Sequence, residues 1–168
     1  MTENHNPNLA SSAGRLAREV LEIACDREIP LATAESCTGG LLASLLTDVE
    51  GYSHIFDRGF VVYSTQAKCD LLGIERRLVD DCGAVSRNVA EAMALGALDR
   101  SEAGLALSIT GFAGPTKDGE EGLVHLACAT GPGDIAHREE HFGKIGRDSV
   151  RSATLEVALE MMKEVLAE

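Results

Sequence analysis

The sequence predicts an α/β fold, a three-layer α/β/α sandwich built on a mixed β-sheet. Short apolar runs typical of buried strands alternate with stretches whose apolar residues recur at helical spacing, as in sheets that helices cover on both faces. Near the C-terminal end, only the turn 131–133 separates two strand-like runs, which predicts a hairpin. With 168 residues, 45% of them hydrophobic, we expect one domain over residues 9–168, after a polar leader at residues 1–8.

Each predicted element rests on its own local pattern. Gly73 is placed to stop one helix and Ser86 to cap the next. His137, Glu139 and His141 alternate along the last strand, which predicts a sheet edge with one wet face. In order, the elements are a helix at 8–26, a strand at 30–34, a helix after the turn 35–40, a strand at 56–63, a helix at 65–72, a helix after Ser86 with an apolar face of Val89, Met93 and Ala97, strands at 105–110, 123–129 and 135–142, and a helix at 148–167.

The charge balance excludes two classes of partner. The chain has 15 basic and 27 acidic side chains, a net charge of −12, which disfavours binding to the phosphates of nucleic acids or to anionic lipid. Its two Tyr, four Phe and absent Trp leave little for base stacking. No apolar stretch approaches the length of a membrane span. We therefore expect neither a nucleic-acid nor a membrane partner.

The cysteines indicate a reducing compartment. There are five of them, an odd number, scattered without a CxxC pair or a Cys/His cluster at metal-ligand spacing. The first eight residues have neither the basic segment nor the apolar run of a secretory signal. We expect reduced thiols in a cytoplasmic protein, with no metal and no cofactor.

The turn at residues 35–40 is the first candidate for chemistry. In open α/β sheets, ligands bind beyond the carboxyl ends of the strands, where this turn lies. If the next helix begins near Cys37 or Thr38, Ser36 is its N-cap, and the unpaired N–H groups there could stabilise an oxyanion or a phosphate. The alternative is that Ser36 is only a cap and that Gly39 and Gly40 only form the turn.

A serine hydroxyl needs a base to become a nucleophile, and Lys68 is the better candidate for that base. The five histidines lie in the leader, in a loop or on late strands. Lys68 follows the strand that ends at Tyr63, and burial could lower its pKa enough for it to accept a proton. The alternatives are an exposed helix lysine and, for Tyr63, a core residue with a satisfied hydroxyl.

Two arginines stand four residues apart at the start of the last predicted helix. Arg147 and Arg151 oppose the helix dipole there, and an anionic ligand would explain the placement. The alternative is a solvated face on which Arg151 pairs with Asp148 or Glu156.

Four ordered motifs carry a family resemblance that spacing alone does not provide. The motifs are Thr33-Ala34-Glu35-Ser36-Cys37-Thr38-Gly39-Gly40, Gly59-Phe60-Val61-Val62-Tyr63-Ser64 with Ala67-Lys68, Gly83-Ala84-Val85-Ser86, and Thr110-Gly111-Phe112-Ala113-Gly114-Pro115. Together they resemble the CinA C-terminal domain family over nearly the whole chain. The resemblance implies the stand-alone form, because 168 residues leave no room for the extra N-terminal domain of larger members.

The resemblance also implies an activity, the deamidation of nicotinamide mononucleotide to nicotinic acid mononucleotide and ammonia in pyridine nucleotide salvage. It implies that Ser36 is the nucleophile, that Lys68 is its general base and that Tyr63 supports proton transfer. The substrate, a small nucleotide, would be bound by Thr38, Gly39, Gly40, Thr110, Gly111, Gly114 and Arg147.

The sequence departs from the usual family pattern between residues 116 and 121, where Thr116-Lys117-Asp118-Gly119-Glu120-Glu121 replaces a Gly-rich stretch. This departure motivates the alternative of a non-catalytic nucleotide-binding or regulatory module that keeps the pocket. A third hypothesis is amide hydrolysis on a related pyridine nucleotide or nucleoside. The sequence does not decide whether the protein forms a homo-oligomer.

Overall fold

The computed structural model describes residues 11–168. The predicted leader at 1–8 and the first residues of the predicted first helix lie outside this range. The elements in the described range are α1 (Ser12–Asp26), β1 (Leu31–Glu35), α2 (Leu41–Thr47), β2 (Phe56–Val61), α3 (Thr65–Leu72), α4 (Arg76–Cys82), α5 (Arg87–Asp99), β3 (Leu105–Gly111), β4 (Leu123–Gly131), β5 (Asp134–His141) and α6 (Arg147–Ala167).

The five strands form one mixed sheet in the order β2-β1-β3-β4-β5. Strand β1 lies at its parallel centre, paired with β2 on one side and β3 on the other. Strands β3, β4 and β5 pair antiparallel. The predicted mixed sheet is thus confirmed, and the carboxyl ends of β1, β2 and β3 meet at one edge.

Helices cover both faces of the sheet, which confirms the predicted three-layer sandwich. Large side chains on one face, such as Leu31, Leu107 and Leu126, form a core with α1, α2 and α6. Their neighbours on the other face are small, as at Ala32 and Ala106, and form a second core with α3, α4 and α5. This alternation follows from the two-residue period of a strand.

Helix α5 lies close to the sheet because the side chains between them are small. Ala90 and Ala94 of the helix pack on Ala127 and Ala129 of β4. The buried Ser108 hydroxyl donates to the Ala90 carbonyl at 2.6 Å, so this polar side chain has a partner inside the core.

One element was not predicted. Helix α4 is short and mostly charged, with Val79 as its only buried residue. The pairs Arg76–Asp80 and Arg77–Asp81 stand at the i, i+4 spacing that supports a helix, and this was the signal available in the sequence. The other described elements match their predicted positions closely, and α3 begins and ends where the sequence places it, with Gly73 following at φ 66°.

No helix in residues 11–168 is long and apolar enough to cross a bilayer. All five cysteines are free thiols, and burial raises the pKa of Cys128 to about 12.

Candidate active site

A cleft of about 490 Å³ opens at the edge where the carboxyl ends of the three parallel strands meet. Such an edge is the usual ligand site of an open α/β sheet. The structure brings seven of the predicted site residues to this cleft: Ser36, Tyr63, Lys68, Thr110, Gly111, Gly114 and Arg147.

Ser36 and Lys68 are in direct contact at the base of the cleft. Ser36 follows β1, and its N–H donates to the Ile109 carbonyl of β3 at 3.0 Å, which fixes its backbone beside the sheet. Lys68 lies on α3, and its Nζ is 3.1 Å from the Ser36 Oγ and 3.0 Å from the Val62 carbonyl oxygen. The hydroxyl and the amine are therefore within proton-transfer distance.

The environment of Lys68 favours its neutral form. The side chain is only 2% exposed, so the alternative of an exposed helix lysine is wrong. Burial lowers the pKa of Lys68, opposed only by weaker effects of Cys37 and Cys69. Its two hydrogen-bond partners among the described residues, Ser36 and Val62, are both uncharged. A neutral amine that donates to the Val62 carbonyl keeps its lone pair for the serine proton.

Glu35 caps the start of α2, a role that the sequence predicted for Ser36. Helix α2 begins at Leu41, with Gly40 as its N-cap, so the prediction that Ser36 caps the helix is wrong. The Glu35 carboxylate accepts hydrogen bonds from the N–H groups of Gly40, Leu42 and Ala43, at 3.1, 3.1 and 2.9 Å. These donors are already used by a buried carboxylate, which removes the predicted phosphate site at this helix end.

The turn residues Thr38, Gly39 and Gly40 do not line the cleft, in contrast to the prediction for substrate binding. Thr38 is a fully buried residue of this turn. Its carbonyl accepts from the Arg151 guanidinium at 3.1 Å, and the Gly40 N–H is bound to Glu35. These residues shape the turn that presents Ser36.

Cys37 lies beside Ser36 in the cleft and is a second potential nucleophile. Its side chain is 5% exposed, and burial raises the pKa of its thiol to about 11. The thiol is therefore protonated near neutral pH, where a thiolate would be needed for attack. Its backbone N–H donates to no other described residue, and it interacts with the thiol of Cys37 itself, which lowers the pKa of that thiol by less than burial raises it.

Tyr63 and Arg147 meet at the mouth of the cleft. Tyr63 is 64% exposed, which contradicts the alternative of a core tyrosine. Its Oη is 3.5 Å from an Nη of Arg147 and makes no hydrogen bond to Ser36 or Lys68. Arg147 is the first residue of α6, is exposed, and forms no ion pair with a described carboxylate. Its charge is available to an anion.

Arg151 forms no ion pair with Asp148 or Glu156, so the alternative of a solvated face on which it pairs with one of them is wrong. Its guanidinium donates to the Thr38 carbonyl, and its Nε is buried without a partner among the described residues. Arg151 therefore connects α6 to the turn beneath Ser36.

The end of β3 forms the other wall of the cleft. The buried Thr110 hydroxyl donates to the Ala84 carbonyl at 2.7 Å and so ties β3 to the loop before α5. Gly111 and Gly114 continue this wall, and Gly114 lies next to the Arg147 side chain. Sequence reasoning missed Thr116 and Asp118, which also line the cleft from the loop that departs from the family pattern.

Comparison with known proteins gives one family. The model of the CinA C-terminal domain matches residues 13–166. The nicotinamide-nucleotide amidohydrolase PncC of Escherichia coli K12 is 40% identical over 151 residues, which cover 88% of this chain and 91% of that protein. The crystal structure of the competence/damage inducible protein CihA from Agrobacterium tumefaciens superposes with a TM-score of 0.89 at 43% identity, over 92% of this chain and 96% of that one.

Some relatives are much longer than this chain. A competence-damage inducible protein of Caldicellulosiruptor bescii is 45% identical over 118 residues, which are 68% of this chain but 29% of that protein.

Proposed function

The chain belongs to the CinA C-terminal domain family, and from this premise we propose that it is a nicotinamide-nucleotide amidohydrolase. The enzyme would convert nicotinamide mononucleotide and water to nicotinic acid mononucleotide and ammonia. The observation that carries the proposal is the buried contact of 3.1 Å between the Lys68 Nζ and the Ser36 Oγ. The E. coli relative, which carries this name and aligns over most of both chains, supplies the substrate class.

The cleft suits a small anionic nucleotide. Its volume of about 490 Å³ lies in the usual range for small-molecule sites. The carboxamide would lie at the buried end, against Ser36, and the phosphate would lie at the mouth, against Arg147. A guanidinium can bind a phosphate through two parallel hydrogen bonds.

In the proposed first step, the Ser36 Oγ attacks the carboxamide carbon while the neutral Lys68 amine takes the hydroxyl proton. The tetrahedral intermediate collapses as Lys68 returns this proton to the leaving nitrogen. The C–N bond breaks, ammonia leaves, and the nicotinoyl group remains on Ser36 as an ester.

In the second step, Lys68 takes a proton from a water molecule that attacks the ester carbonyl. The C–O bond to Ser36 breaks, and the serine oxygen recovers the proton from Lys68. The products are nicotinic acid mononucleotide and the free enzyme. One amine thus acts as base and then as acid in each half of the reaction.

The negative charge on the carbonyl oxygen needs hydrogen-bond donors in both steps. We propose the Cys37 N–H as one of them, because it follows the nucleophile, belongs to a residue that lines the cleft and donates to no other described residue.

The test is the stoichiometry of the reaction with the purified protein. Nicotinamide mononucleotide should yield ammonia and nicotinic acid mononucleotide in equal amounts, and Lys68→Met should lose the activity. An exposed lysine outside the cleft, in Lys144→Met, provides the matched control.

Two results would contradict the proposal. Saturable binding of the nucleotide without any release of ammonia would favour the non-catalytic module. Faster turnover of the dephosphorylated nucleoside than of the nucleotide would favour the related amide substrate.

A further inference from the structure

We propose that Asp118 is a specificity-determining residue whose carboxylate binds the ribose cis-diol of the nucleotide. This inference rests on the proposed amidohydrolase function and assigns a substrate contact within the same cleft. Asp118 lies in the loop between β3 and β4, in the segment that departs from the family pattern. Because β1 lies between β2 and β3, this loop and the Lys68 helix stand on opposite sides of Ser36.

Asp118 lines the cleft, and its carboxylate has no partner among the described residues. The residue is exposed. Among residues 11–168, its only hydrogen bond is made by its backbone N–H, which donates to the Thr116 hydroxyl at 3.0 Å. By contrast, Glu120 in the same loop pairs with His141 at 3.0 Å. The acceptor capacity of Asp118 is therefore available to a ligand.

Contacts on both sides of Asp118 hold the loop in place. Before it, the Thr116 hydroxyl accepts the Asp118 N–H. After it, Gly119 lies against the ring of Phe112, where an added Cβ would collide with the ring. The Phe112 N–H donates to the Leu123 carbonyl at 2.9 Å, and its own carbonyl accepts from the Gly122 N–H at 2.7 Å. A loop held in this way presents its carboxylate at little cost in conformational entropy.

The substrate has three parts, the carboxamide, the phosphate and the ribose, and their chemistry favours the ribose as the partner of Asp118. The carboxamide must reach Ser36, which is only 8% exposed, whereas Asp118 lies at the exposed part of the cleft. A phosphate would be repelled by a carboxylate and drawn to Arg147. The two adjacent hydroxyls of the ribose are both donors, and the two oxygens of a carboxylate can accept both. In dinucleotide-binding folds an acidic residue accepts from the ribose 2′-hydroxyl in this way.

The test compares two substrates in three proteins. The substrates are nicotinamide mononucleotide and its 2′,3′-dideoxy analogue, and the proteins are wild type, Asp118→Ala and Glu121→Ala. The control removes a carboxylate from the same loop that does not line the cleft. For Asp118→Ala we expect KM for the natural substrate to rise about tenfold, as for the loss of one charged hydrogen bond, with kcat little changed. KM for the dideoxy analogue should not change, and Glu121→Ala should resemble wild type.

Two outcomes would overturn the proposal. One is a KM for nicotinamide mononucleotide that is unchanged in Asp118→Ala. The other is an equal rise in KM for both substrates in Asp118→Ala, which would indicate that the carboxylate attracts the charged pyridinium ring and does not bind the diol. If wild type releases no ammonia, the amidohydrolase proposal fails, and calorimetric titration of both compounds still tests Asp118. The proposal is supported if wild type binds nicotinamide mononucleotide more tightly than the dideoxy analogue and Asp118→Ala does not. It is refuted if wild type binds the two compounds with equal affinity.

Discussion

At the scale of single residues, the unusual feature is Lys68, which is buried without a carboxylate partner in residues 11–168. Burial disfavours the ammonium form, and this lowers the pKa of Lys68. The unfolded chain has no such constraint, so its Lys68 has an ordinary pKa of about 10.4. The lowered pKa that the proposed base role requires therefore reduces the stability of the folded protein at neutral pH.

Lys68→Met tests this link between protonation and stability. Between the folded and unfolded pKa values, the unfolded state binds one more proton, so the Lys68 contribution to stability falls as pH falls. The free energy of unfolding of wild type relative to Lys68→Met should therefore decrease from about pH 10 toward neutrality, by up to about 1.4 kcal/mol per pH unit. Urea unfolding of both proteins across this range measures the difference.

The control for this experiment is the exposed Lys144, because Lys144→Met should show no comparable trend. A constant difference between wild type and Lys68→Met at every pH would contradict the account. It would mean that Lys68 is charged in the folded protein.

At the scale of elements, the junction between β1 and α2 positions Ser36, the proposed nucleophile. Glu35 is the last residue of β1 and is 1% exposed, and its carboxylate binds three N–H groups at the start of α2. Ser36 follows immediately, so the carboxylate that caps the N-terminus of α2 also fixes the turn that carries the Ser36 hydroxyl.

Glu35→Gln should therefore weaken both the fold and the activity. A glutamine amide presents an NH₂ group where one carboxylate oxygen accepted, and this leaves buried donors facing each other. We expect the free energy of unfolding to fall by about 2–3 kcal/mol and kcat to fall with it, as measured by urea unfolding and ammonia release. The exposed Glu50→Gln should stay within about 0.5 kcal/mol of wild type. An equally stable and active Glu35→Gln would refute this role.

The sequence predicted most elements because their signals are local. Strand β3 is a short, mostly apolar run and α3 has its stop, Gly73, next to it in the chain, so both were found. Helix α4 was missed because it buries a single side chain and has almost no apolar period. The cap of α2 was assigned to the wrong residue because a carboxylate that reaches forward from β1 follows no local capping pattern.

The site was predicted in part, for a similar reason. Ser36 and Lys68 are 32 residues apart, and only the parallel pairing of β1 and β2 brings them into contact. From the residues alone, a helix cap was favoured for Ser36 and an exposed helix lysine for Lys68. Only the family resemblance indicated that the two form a nucleophile and its base. Asp118 was not found because the loop that carries it has no counterpart in the family motifs.

At the scale of the whole molecule, the proposed function requires an acidic protein to bind an anionic nucleotide. The net charge of −12 raises the cost of bringing a phosphate to the surface. Arg147, exposed and without a carboxylate partner among the described residues, provides a local positive charge at the mouth of the cleft. We propose that this local positive charge within an acidic surface restricts the ligands of the cleft to small anions.

Arg147→Ala tests this local binding. KM for nicotinamide mononucleotide should rise about 10- to 100-fold, because a charged hydrogen bond to the phosphate is lost. KM for the dephosphorylated nucleoside should change little, and kcat for the nucleotide should be largely kept. Steady-state assays with both substrates measure the effect, and an equal rise for both would show that Arg147 acts on something other than the phosphate.

The most direct test of the central claim, that Ser36 is the nucleophile and Lys68 its base, compares two neighbouring residues in one assay. Ser36→Ala and Cys37→Ala each remove a potential nucleophile from the same turn, and ammonia release from nicotinamide mononucleotide is measured for both. We predict that Ser36→Ala lowers kcat by at least about 10³-fold, whereas Cys37→Ala keeps most of the activity. Loss of activity in Cys37→Ala with retention in Ser36→Ala would contradict the account.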